Sequence, residues 1–198
     1  ATLVSGGQRY KPRLVREIED VVTRERRRVA SDAVEPLPYK HEHVELINRA
    51  MYGVTQEGTS VRSFVGAPYK SGGKTGTAQA VSIKQNEKYN ASKLEEHQRD
   101  HSWYIAFAPV EVPTVALAVI IENSGFGSEA AAPMARRVFD YLLLGLVPGP
   151  EDMALTQKGK SGAPVGKQRL ADEWPLPGMA GVALQSVPTP VSVARGPR

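Results

Sequence analysis

The sequence predicts an α/β protein of the α+β type, an antiparallel sheet accompanied by helices, and three observations carry that expectation. Over 41–52 the apolar residues Val44, Ile47, Ala50 and Met51 recur at three- and four-residue spacing, the period of an amphipathic helix. Three extended stretches then follow one another: one from Lys74, one over His101–Val110 and one over Thr114–Asn123. A second helical pattern, from Ser128 to Leu144, closes the series.

Each element has its own local reason. Tyr10 to Val22 reads as short extended segments around Pro12, and Pro36 and Pro38 mark a loop before the first helix. Gly53 is placed to stop that helix. From Lys74 onward Thr75, Thr77, Val81 and Ile83 supply the β-branched side chains of a strand. The polar insert Asn86–Asp100 contains Ser92-Lys-Leu-Glu95, the pattern of a capping box and hence of a short helix. Glu111-Val112-Pro113 joins the last two strands as an antiparallel hairpin. Val115–Ile121, apolar on both faces, reads as a central strand covered by helices. Ser128 is the expected N-cap of the final helix, with Gly145 just past its end. Residues 146–198 hold eight of the fifteen prolines and seven of the eighteen glycines, which predicts a disordered tail after a folded unit of 1–145.

Composition narrows the function. A chain of 198 residues, 41% apolar and 23% charged, suits a single domain with a real core. The longest apolar run, Val115–Ile121, falls far short of the roughly 20 residues a membrane helix needs. Without cysteine there is no disulfide framework and no thiolate metal site. His97 and His101 have helical i, i+4 spacing but no Glu or third ligand arranged around them, so no metal or other cofactor is expected. The net charge of +4 centres on one basic run, Arg24–Arg28, which contains Glu25 and no aromatics; it reads as a solvated face and not as a nucleic-acid surface. The chain opens at Ala1 without a leader and reads as a piece of something longer, with any targeting signal upstream.

The stretch Tyr69–Gln79, YKSGGKTGTAQ, concentrates glycine, lysine and threonine. A phosphate-binding loop would need glycine at position 68, where Pro68 stands, and a helix after Lys74, where a strand pattern follows. Ser71-Gly72-Gly73-Lys74 matches S-x-x-K formally, but that chemistry needs a helix so that lysine lies beside the hydroxyl, and Gly-Gly is poor helical filler. The remaining reading is a strand edge. Lys74, Thr75 and Thr77 offer an ammonium and two hydroxyls, and Gly76 leaves room for a substrate backbone alongside. Such an edge suits a peptide ending in a carboxylate.

With these words in order the sequence resembles the penicillin-recognising serine acyl transferases. Lys74-Thr75-Gly76 resembles their third signature motif, and "MYGV" at Met51, "APYKSGGKTGTAQ" at Ala67, "NEKYNA" at Asn86, "RDH" at Arg99, "AFAP" at Ala106 and "ENSG" at Glu122 are similar to the class B penicillin-binding transpeptidases of cell elongation. The resemblance covers 1–145. It implies a β-lactamase/transpeptidase-like fold, a five-stranded antiparallel sheet with helices on both faces, of which this chain holds the C-terminal strands and helices. It implies catalytic roles for Lys74, in the active-site network, and Thr77, whose backbone N–H would serve the oxyanion hole. Thr75 and the Thr77 hydroxyl would hold the carboxylate of a D-Ala-D-Ala stem peptide or β-lactam, and Gly76 would keep the strand open.

The family's nucleophile motif S-x-x-K and its S-x-N are absent upstream: Ser5, Ser31, Ser60 and Ser63 are followed at the third position by Gln8, Val34, Ser63 and Gly66. The resemblance therefore implies one wall of an acyl-transfer site, inactive alone, whose partners are the N-terminal half of the domain, peptidoglycan stem peptides and a SEDS-family membrane glycosyltransferase. The implied place is the periplasmic face of a bacterial inner membrane, anchored by a segment outside this chain. A non-catalytic β-lactam or muropeptide sensor, a septal transpeptidase and a β-lactamase relative stand as alternatives.

Overall fold

A computed structural model describes residues 1–82 and 89–171. The N-terminal region forms four short strands, β1 (Arg9–Tyr10), β2 (Glu17–Glu19), β3 (Arg26–Arg28) and β4 (Ala33–Val34), with β1 paired to β4 and β2 nested against β3. Every residue of β2 and β3 is exposed. The basic run is held there by acids across the pair: Glu19 accepts from Arg26 at 2.8 Å and from Arg24 at 3.1 Å. It is a solvated, ion-paired ribbon, and exposed pairs of this kind add little stability.

Helix α1 (His41–Gln56) starts where the periodicity predicts and runs past Gly53, which lies inside it. The extra turn is held by a long-range bond, from the buried Thr55 hydroxyl to the Ser71 carbonyl at 2.6 Å. A single turn, α2 (Val61–Phe64), follows and buries Phe64. Strand β5 (Gly72–Ala78) begins two residues before Lys74, because Gly72 and Gly73 are already paired with Phe107 and Ala106.

Residues 83–88, and with them the strand expectation at Ile83 and the start of the Asn86–Asp100 insert, lie outside the described residues. The capping box expected at Ser92–Glu95 is corrected. Asn90 caps a 3-10 turn over Ala91–Lys93, accepting from the Ser92 N–H, and the reciprocal box is formed by Glu95 with Gln98 around a second turn, Glu96–Gln98. Asn90 can accept from a backbone N–H two residues on as well as a serine can, so the true cap lies two positions earlier.

Strands β6 (His101–Ala108) and β7 (Val115–Ile121) complete an antiparallel sheet of order β5-β6-β7. Helix α3 (Ala131–Leu144) crosses one face. Ala131, Ala132, Ala135, Phe139 and Leu143 meet Tyr104, Ala106 and Ala108 of β6, with Phe64 and the inward residues of β7 (Val115, Leu117, Val119, Ile121) completing the core. On the other face α1 covers the β5 end, while Trp103, Ile105 and Ile120 remain 41%, 44% and 48% exposed. The expectation that Val115–Ile121 is a central strand covered on both faces is therefore corrected: β7 is an edge strand of the described sheet, half-buried on alternate residues and exposed on the others.

Ser128 does not open α3. The helix begins at Ala131, whose N–H is accepted by the Ser102 hydroxyl at 3.0 Å, a cap supplied from β6 in place of the local sequence. Its end is as expected, with Gly145 at φ 67°, a left-handed conformation that glycine adopts without Cβ strain.

The disordered tail is corrected over its first half. Residues 146–171 form β8 (Leu146–Val147), α4 (Pro150–Gln157) and β9 (Arg169–Leu170), with β8 antiparallel to β9. Pro150 suits the first turn of α4, where no N–H is required. The segment buries Val147 and Ala171 and is fastened to α3 by polar bonds as well. Arg137 forms a buried ion pair with Asp152, its Nε donating at 2.9 Å, and Gln168 donates to Asp140 at 2.8 Å. Low apolar content is a poor guide to a segment held this way. Residues 172–198 lie outside the described residues.

Candidate functional site

The residues singled out in the sequence lie together on β5. One edge of that strand is paired with β6, and the other carries no strand partner among the described residues. Because direct partners in an antiparallel pair share a face, Thr75 and Thr77 lie on the α3 side with Tyr104 and Ser102, and Lys74 and Gly76 on the opposite side with Ile105 and Trp103. Lys74 is exposed, and its ammonium donates to the Thr75 carbonyl at 2.6 Å. An ammonium carries three protons, so two remain for a ligand. Thr77 is exposed and Thr75 half-buried. Ser71, by contrast, is buried at the strand entrance, three positions from Lys74 along extended backbone, and the two side chains point to opposite faces. The formal S-x-x-K is no catalytic pair.

Two buried devices hold the strand from behind. The first is Tyr104, directly across from Thr75 and fully buried, whose hydroxyl lies 2.9 Å from the Ser60 hydroxyl. A Cβ on Gly73 would fall 2.1 Å from that phenol oxygen, so glycine is required where the ring passes beneath β5. Burial pushes the Tyr104 phenol up to about 12, against a smaller opposing effect of the Ser60 hydrogen bond. It stays protonated at neutral pH.

The second device is the loop after β7. Ser102, partner of Thr77, donates to the Phe126 carbonyl at 3.0 Å while capping α3, and this draws Gly127 against the strands. A Cβ on Gly127 would lie 2.3 Å from the Trp103 carbonyl oxygen and 2.6 Å from that of Gly76. The "ENSG" word thus leads into a wedge under Gly76–Thr77. Further back, Arg136 donates to Asp140 at 2.8 Å and to the Val65 carbonyl at 3.0 Å, and Tyr69 donates to Asp140 at 2.8 Å. Burial and the Asp140 charge drive the Tyr69 phenol far above its ordinary value. This network ties the segment entering β5 to α3.

The sequence points to Lys74–Thr77 and misses Thr59, whose hydroxyl lies 3.0 Å from that of Thr75. No local pattern marks Thr59. It stands sixteen residues away, in a turn whose position depends on Ser60 reaching Tyr104.

Residues 1–140 match the penicillin binding protein transpeptidase domain. The chain belongs to this family. Its similarity to the peptidoglycan D,D-transpeptidase MrdA of Haemophilus influenzae is 39% identity over 149 residues, covering 71% of this chain and 22% of that protein. With MrdA of Escherichia coli K12 it is 46% over 103 residues, 51% of this chain and 16% of the relative. The chain thus spans about a fifth of the length of the curated relatives it matches.

Among solved structures it resembles penicillin-binding protein A from M. tuberculosis in its ceftriaxone acyl-enzyme complex, with a TM-score of 0.55 and 25% identity over 70% of this chain and 29% of that one. Penicillin-binding protein 2B of Streptococcus pneumoniae R6, at TM-score 0.54 and 19% identity over 70% of this chain and 22% of that one, shares the fold. The fold of this family member is the β-lactamase/transpeptidase fold, represented here by its sheet strands β5–β7 and the helices against them.

Proposed function

We propose that this chain forms the substrate-binding wall of a peptidoglycan D,D-transpeptidase that cross-links D-Ala-D-Ala stem peptides during cell elongation and so maintains cell shape. The observation that carries the reading is the open edge of β5, with the Lys74 ammonium and the Thr75 and Thr77 hydroxyls along seven residues pinned from behind. Thr75 and the Thr77 hydroxyl hold the terminal carboxylate of the stem peptide, or that of a β-lactam, through charge-assisted hydrogen bonds, and Lys74 adds positive potential and a hydrogen bond to the active-site network. The Thr77 N–H serves as half of an oxyanion hole for the carbonyl under attack. Gly76 leaves the substrate backbone room at the strand edge.

A serine nucleophile and its lysine base come from the N-terminal half of the domain, which adds strands to the sheet. The serine oxygen bonds to the penultimate D-Ala carbonyl carbon, its proton passes to the base, and the terminal D-Ala leaves with a proton on its nitrogen. An amine of a neighbouring stem then takes the acyl group and releases the serine. The apolar, exposed face of Trp103, Ile105 and Ile120 supports a further covering layer. Among the described residues no helix is long and apolar enough to cross a membrane. We place the complete enzyme at the periplasmic face of the inner membrane, anchored outside this chain, with a SEDS-family glycosyltransferase as partner.

Fluorescent penicillin tests the reading. Covalent labelling of the full-length protein that survives denaturing electrophoresis is expected. Reversible binding alone would replace the enzyme with a sensor of β-lactams or muropeptides.

A further inference from the structure

We infer that Thr59 is a second carboxylate-binding residue of the site, its hydroxyl acting together with that of Thr75. This rests on the transpeptidase reading of β5 and goes beyond it, because Thr59 lies outside the Lys-Thr-Gly-Thr strand. The two hydroxyl oxygens are 3.0 Å apart, Thr59 is exposed and Thr75 half-buried. Each hydroxyl has one proton and two acceptor positions. In the unliganded pair one hydroxyl donates to the other, which leaves a single proton free. An anion laid across the pair takes both protons, and the hydroxyl–hydroxyl bond is exchanged for two charge-assisted ones.

The placement is built. Gly58, before Thr59, sits so tightly on the end of α1 that a Cβ there would fall 2.7 Å from the Val54 Cα. Ser60, after it, is 1% exposed, bonded to the Val54 carbonyl at 3.1 Å and to Tyr104 at 2.9 Å. Tyr104 is the register partner of Thr75. The turn carrying Thr59 and the strand carrying Thr75 are therefore positioned by one buried phenol. Thr59 opens on a groove of about 840 Å³ that Arg62 and Lys160 line together with Glu129. A carboxylate has two oxygens and four acceptor positions, enough to take the Thr59 and Thr75 hydroxyls together.

The test compares acylation of the full-length protein by a fluorescent penicillin and by the same penicillin with its carboxylate methyl-esterified. Thr59→Val is expected to slow acylation by the free acid about tenfold or more, the scale of one hydrogen bond to a charged group, and to leave the ester reaction unchanged. Thr59→Ser, which keeps the hydroxyl, is expected to restore the free-acid rate. Equal rates in Thr59→Val and wild type, or equal loss on both probes, would overturn the assignment, the second by showing a structural role. If wild type labels with neither probe, the transpeptidase reading fails and this inference with it.

Discussion

The two faces of the β5–β6–β7 sheet are made from alternate residues of the same strands, yet only one is finished. Under α3, Tyr104, Ala106 and Ala108 are essentially closed to solvent. One position over, Trp103, Ile105 and Ile120 are as apolar and roughly half exposed. Residue type cannot account for the difference. What separates them is whether an element of this chain reaches across, and α3 does so because its small residues Ala131, Ala132 and Ala135 let it lie close to the strands.

The contrast can be broken most strongly on the finished face. Phe139→Ala removes a ring that contacts both Phe64 and Tyr69 and is expected to destabilise the complete domain by about 3–5 kcal/mol in denaturant unfolding. Arg137→Ala leaves Asp152 buried without its partner, on the outer side of α3, with an expected loss of about 3 kcal/mol. Replacing both by Met and Leu restores most of that, and proteolysis should then find 150–171 protected again. A change of less than about 0.5 kcal/mol for Arg137→Ala would mean the segment is not docked.

A smaller effect is expected at the open face, where context decides its size. Ile120→Lys should alter the stability of the isolated chain by no more than about 0.5 kcal/mol, and that of the complete domain by several times as much. Equal effects in both would show that nothing covers this face. A last effect is confined to alkaline pH. Tyr104, pushed up to about 12 by burial, keeps its proton in the folded state where the unfolded chain loses it near pH 10. Its contribution is complete below pH 10 and lost as pH rises toward 12, at no more than about 1.4 kcal/mol per pH unit. Tyr104→Phe should flatten that limb of the stability–pH curve.

Legibility followed sequence distance. The α1 start, the three strands, the Gly145 stop and the placement of Lys74, Thr75, Gly76 and Thr77 on one strand were readable, because period, β-branching and turn residues act over a few positions. The α3 start was not, since its cap is Ser102, twenty-nine residues upstream. The fold of 146–171 is not legible in composition, which registers apolar content, because a buried pair between Arg137 and Asp152 helps to hold the segment.

The sequence by itself determined an antiparallel hairpin preceded by a Lys-Thr-Gly-Thr strand, since extended backbone places those side chains wherever the strand goes. Only the tertiary structure decided which face is buried, what wedges Gly127 under Gly76, and that Thr59 stands beside Thr75. Those depend on contacts between residues far apart in the chain, such as Ser60 with Tyr104, whose energy exists only once the intervening forty-odd residues have folded back.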